Sequence, residues 1–101
     1  MPFASFPADF TKLPTVSIVV PNNNNNMHHG ADPDRILRAD EWLRQHLDSY
    51  IQWSRTNNSL FILTWDENYN DNESNQIPTI VVAAMVVRGQ SSEKITHLNV
   101  L

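Results

Sequence analysis

The chain contains no cysteine, which excludes disulfide staples and thiolate metal sites and leaves any metal to nitrogen and oxygen ligands. Glycine is nearly as scarce, with two in 101 residues. No Walker-type phosphate loop, serine elbow or HExxH zinc pair is present, so nucleotide cradling and those serine and zinc chemistries lose their usual signatures. Positive charge is short as well: 7 Lys and Arg stand against 11 Asp and Glu, for a formal net charge of -4. Without a basic patch, nucleic acid is not an expected partner, because phosphate backbones are held by clustered Lys and Arg. No apolar run approaches the roughly 18 residues that cross a bilayer, so no transmembrane segment is expected. Met1 to Ser5 lacks the basic and apolar regions of a signal peptide. The localisation stays open, since the signal of a periplasmic or secreted parent protein would lie upstream.

What is present fits one small folded unit, with 41% hydrophobic and 18% charged residues. Val16-Ser17-Ile18-Val19-Val20, bounded by Pro14 and Pro21, predicts a short buried strand. The polar run Asn22 to Asn26 then predicts a loop at its carboxyl end. A helix follows, capped by Asp32 or Asp34 with Pro33 in its first turn, and ending near Thr56 to Asn58. Its buried stripe is Ile36, Ala39, Leu43, Leu47 and Tyr50, and its charged outer surface carries Arg35, Arg38, Asp40, Glu41 and Arg44. Leu60 to Trp65 predicts a second strand and Thr79 to Val87 a third. The order strand, long helix, strand implies parallel pairing through a right-handed crossover. The expected class is α/β, a partial parallel sheet with a long crossover helix. Its second face would be bare, and the apolar pattern of Leu98, Val100 and Leu101 breaks off, so a fragment of a larger sheet is expected.

Asp66 and Glu67 follow the second strand directly, and open α/β sheets bind ligands at the carboxyl ends of their strands. Two adjacent carboxylates there suit a hard divalent cation; solvated loop residues are the plainer alternative. His28 and His29 follow the asparagine run, on a loop that a parallel sheet would bring to the same rim. Such an imidazole can ligate metal, hydrogen-bond a phosphate oxygen or protonate a leaving group, or it can sit exposed without a role. His97 can reach the same rim, with Thr96 before it as a helix cap. His46 lies between Trp42 and Tyr50 and is assigned to packing or to the helix surface.

The blocks LPTVSIVVPN, MHHG, ADEWL, LFILTWDE and NQIPTIVVAAMVVRGQSSEKITHLNVL, in this order, resemble the carboxy-terminal half of the phosphoesterase family. That family holds bacterial acid phosphatases and phospholipase C-type enzymes and belongs to the alkaline-phosphatase-like superfamily. The resemblance runs from about Phe6 to Leu101. It implies that the chain is a fragment of an alkaline-phosphatase-like three-layer fold, with Asp66 and Glu67 as metal ligands and His28 facing the phosphoryl group. Asn26 and His29 depart from the residues usual beside that histidine, and the loop from Asn68 to Asn72 lacks the family's glycine. The remaining ligands and the Ser or Thr nucleophile are implied to lie in an upstream half.

The resulting expectation is metal-dependent hydrolysis of phosphoesters, with a divalent metal ion as cofactor and a monoester or a phospholipid diester as substrate. The chain alone is expected to be inactive and to self-associate through its exposed sheet surface. An α/β remnant or interaction domain without catalysis is the alternative, and the sequence upstream of Met1 discriminates the two.

Overall fold

In the computed structural model, residues 2–68 and 74–99 are described. The dominant element is α1, Asp34–Ser54, followed by two short strands, β1 at Phe61–Thr64 and β2 at Thr79–Val82. Three single 3-10 turns, Phe3–Ser5, Phe10–Lys12 and His97–Asn99, complete the secondary structure of the described residues.

The helix forms where the three-and-four spacing places it, and Ala39 and Leu47 are its buried apolar residues. Ile36, expected in the same stripe, is 46% exposed. Pro33 occupies the position before Asp34 and no side chain caps the amino end. Asp32, one of the two expected caps, instead pairs with Arg35 at 2.6 Å. At the other end the Trp53 carbonyl accepts from Thr56 N–H at 3.1 Å and from the Asn57 side chain at 2.8 Å, so this last-turn acceptor is satisfied. Ser54 is fully buried and satisfies its hydroxyl on the Ile51 carbonyl at 2.8 Å.

An aromatic ladder fastens the amino-terminal segment to α1. Phe3 lies edge-on to Trp42 and His46, and Phe10 lies edge-on to Tyr50 and Trp53, with centroids 5.2 to 5.7 Å apart. His46 stacks on Trp42 at 4.6 Å and donates Nδ1–H to the Trp42 carbonyl, a packing role as expected.

The chain thus has helix and strand, and it departs from expectation in the sheet. β1 and β2 pair antiparallel, Phe61 opposite Val82 and Thr64 opposite Thr79, where a parallel sheet was expected. Among the described residues between these strands there is no helix, so they supply no crossover to turn the second strand around. The two threonine hydroxyls meet across the pair at 3.1 Å. Val16 to Val20 forms no strand: Val16, Ile18 and Val20 are 68 to 80% exposed. A strand needs a partner for its backbone groups, and none of the described residues supplies one. β2 also ends at Val82, short of the expected Val87, which is exposed. The apolar pattern at Val100 and Leu101 and the loop at 69–73 lie outside the described residues.

Candidate functional site

Two clusters carry the residues that the sequence singled out. The first is the loop 22–30 with His28. The backbone folds on itself, with Asn25 and Asn26 N–H donating to the Asn22 carbonyl and His29 N–H to the Asn23 carbonyl, at 2.8 to 3.0 Å. Asparagine side chains close further turns: Asn22 Oδ1 accepts from Asn24 N–H and Asn26 Oδ1 accepts from His28 N–H. The five asparagines are therefore a knitted loop rather than a passive spacer. Met27 adopts a left-handed φ of 73°, and Gly30 one of +107° that a side chain rarely tolerates. His28 and His29 are exposed, their rings 5.1 Å apart.

This loop is held by the first turns of α1. Arg35 makes a two-pronged pair with Asp32 and reaches the Met27 carbonyl at 3.5 Å. The guanidinium holds the Asp32 carboxyl below the usual carboxylate range, chiefly through the hydrogen bond. Arg38 donates from Nε to the Asn24 carbonyl at 3.2 Å and from Nη2 to the His29 carbonyl at 2.7 Å. Sequence reasoning placed both arginines on a charged outer surface. The sequence held no signal for these bonds to the loop, since their acceptors are backbone carbonyls, which every residue has.

The second cluster sits at the end of β1. Asp66 and Glu67 follow Trp65, are exposed, and have no ion-pair partner among the described residues. Asn68 N–H donates to Asn75 Oδ1 at 2.7 Å, so the backbone beyond them is tied to the segment leading into β2. His97 reaches in from 32 residues away, where Nε2 donates to the Trp65 carbonyl at 2.8 Å. The 3-10 turn carrying it is closed by Thr96, whose N–H and hydroxyl both donate to Asn99 Oδ1. His97 is thereby brought to the base of the Asp66–Glu67 turn, within the cluster that the sequence suggested it could reach.

The acidic pair suits a hard cation by its chemistry, with two carboxylates side by side and unneutralised by any described cation. Among the described residues, however, no group of three or more His, Asp or Glu is arranged to hold a metal ion. His28, Asp66 and Glu67 form no such group among the described residues: His28 lies on the loop held by α1, and the acidic pair lies just beyond β1.

Comparison with known proteins bears on both. The model of the phosphoesterase family matches residues 1–101. A phosphatidylinositol-3-phosphatase of Mycobacterium tuberculosis is 46% identical over 103 residues, which is 100% of this chain and 33% of that protein. The chain thus spans about a third of the length of this curated relative. No solved structure matches the chain.

Proposed function

The chain belongs to the phosphoesterase family, and on that premise we propose that the protein hydrolyses phosphoesters, using a divalent metal ion held in part by Asp66 and Glu67. The observation that carries this reading is the family match over residues 1–101, which includes both the acidic pair and His28. When bound, such an ion polarises phosphoryl oxygens and activates a hydroxyl for in-line displacement. Zn, Mn, Fe and Ca all accept oxygen and nitrogen ligands of this kind.

Asp66 and Glu67 provide the negative charge that attracts the cation, and the Trp65 to His97 bond fixes the backbone from which they project. His28 is assigned to the phosphoryl group or the leaving oxygen, as a donor whose ordinary pKa lies near neutrality. Two carboxylates do not complete a catalytic metal site, which usually has three protein ligands. The remaining ligands and the hydroxyl nucleophile are assigned to parts of the protein outside this chain, within an alkaline-phosphatase-like three-layer fold. The name of the mycobacterial relative favours a phosphoinositide monoester over an acid phosphatase's small esters or a phospholipase C-type diester.

The test compares the intact protein with Asp66→Asn and Glu67→Gln on phosphatidylinositol 3-phosphate vesicles, p-nitrophenyl phosphate and bis-p-nitrophenyl phosphate. Each variant should lose about 100-fold or more in turnover and should bind Zn or Mn more weakly in calorimetry, as expected when a metal's ligand field is broken. Unchanged turnover in both variants would overturn the metal role. Faster hydrolysis of the diester than of either monoester would overturn the substrate assignment.

A further inference from the structure

We propose that Arg38 is a positioning residue for His28, clamping the loop 22–30 against α1 so that the imidazole is presented at a fixed place. The inference rests on the reading of His28 as the group that faces the phosphoester.

The geometry is specific. Arg38 grips both limbs of the loop, taking the Asn24 carbonyl ahead of His28 and the His29 carbonyl behind it, at 3.2 and 2.7 Å. A planar guanidinium with several fixed donors can hold two carbonyls at once; an ammonium on a flexible stem cannot reproduce that fork. The bonds span 14 and 9 residues of sequence, so they couple the loop to the helix and are not local turn contacts. By contrast, the hydrogen bonds knitting the loop internally stay within six residues, and they shape it without anchoring it.

Gly30 supports the same clamp from the other side. A Cβ built there would stand 2.7 Å from Arg38 Nη2, and the φ of +107° already disfavours a side chain. The loop therefore leaves room at Gly30 for the guanidinium that holds the His29 carbonyl. Arg35 adds its own bond to the Met27 carbonyl but is committed first to Asp32. Arg38 has no carboxylate partner within salt-bridge distance among the described residues, so its donors go to the loop carbonyls.

A catalytic group displaced by about 1 Å loses on the order of 100-fold in rate, so the clamp should be visible in kcat rather than in KM. The experiment is a double-mutant cycle on the intact protein with p-nitrophenyl phosphate: Arg38→Ala, Arg38→Lys, His28→Ala and the double variant His28→Ala with Arg38→Ala. Arg38→Ala should lower kcat about 10- to 100-fold with KM little changed, and Arg38→Lys should recover only part of that loss. In the His28→Ala background, Arg38→Ala should cost almost nothing more, because its effect passes through His28. Amide and imidazole NMR signals of residues 24–30 should shift or broaden in Arg38→Ala while those of α1 beyond Leu43 do not, which also shows that the variant folds. His28→Ala impaired with Arg38→Ala unimpaired overturns the inference alone. Additive losses in the cycle also overturn it, since Arg38 then acts on something other than His28. His28→Ala with full activity overturns the role of His28 and this inference together.

Discussion

At the scale of single residues, the protein relies on few buried side chains and several long-range polar bonds. Ala39, Leu47 and Ala83 are the buried apolar residues among those described, and Leu47 is the largest of them. Leu47→Ala should therefore lower the stability of the chain by about 2 to 3 kcal/mol, the lower part of the range for leucine truncation, because a thin core can collapse around the gap. Denaturant melting followed by circular dichroism measures it. A loss below about 0.5 kcal/mol would mean that α1 does not depend on this contact. The His97 to Trp65 bond is solvent-exposed, so its worth to stability is small, about 0.5 to 1.5 kcal/mol for a typical hydrogen bond. Its value lies in placement: His97→Ala should leave the melting temperature nearly unchanged while weakening metal binding at Asp66 and Glu67. Calorimetric titration of Mn into the intact variant checks this, and affinity equal to the parent's would remove His97 from the site.

At the scale of elements, α1 was legible in the sequence because its evidence is local: apolar residues every three or four positions and a run free of glycine and proline. β1 and β2 were legible in place but not in direction, since apolar content reports burial and says nothing about which neighbour a strand meets. Val16 to Val20 has the composition of a strand and lacks a partner among the described residues, so the same rule that found β1 overstated it. In the candidate site, the place of Asp66 and Glu67 just beyond β1 was legible from the apolar run before them, whereas the loop of His28 was reached from a strand that does not form; the bonds of Arg38 to that loop were not legible, because two loop carbonyls carry no sequence signature. The helix also makes a pH prediction. Arg44, and then Gln45, hydrogen-bond Glu41 and hold its carboxyl down from 4.5 to about 2. A depressed carboxylate contributes stability above its unfolded pKa and loses it as pH falls through the folded value. The Glu41 contribution is thus intact above about pH 4.5 and gone near pH 2. Glu41→Gln should melt slightly lower than the parent at pH 6, an effect kept small by solvent screening, and the two should converge as pH approaches 2. A gap that persists at the acid end would show that Glu41 stabilises α1 by packing and not by charge.

At the scale of the whole molecule, the surface is larger than that of a compact monomer of the same mass. The accessible area is 8468 Å², where a compact monomer of this mass exposes about 5,800 Å². The radius of gyration is 14.7 Å, against about 13 Å for a compact domain of this length. Large apolar side chains contribute to the exposed area: Val16, Ile18, Val20, Met85 and Val87 are each at least 66% exposed. The chain spans about a third of its mycobacterial relative. Produced as these 101 residues only, the chain should therefore self-associate, because exposed apolar patches of this extent and an unpaired strand-like segment seek cover. Sedimentation velocity should show species larger than a monomer at micromolar concentration, and Ile18→Lys with Val20→Lys should shift the distribution toward the monomer. The same preparation should not turn over phosphoesters. In-line displacement needs a positioned nucleophile, a full ligand set and a pocket that excludes water, and two exposed carboxylates with a separately anchored histidine provide none of the three complete. The check is p-nitrophenyl phosphate and its diester with Zn, Mn, Ca and Fe in turn, beside an Asp66→Asn control to remove the contribution of free metal. A monomeric chain with turnover abolished by that substitution would establish that these residues form an enzyme by themselves, with a nucleophile among them that neither the sequence nor the fold has placed.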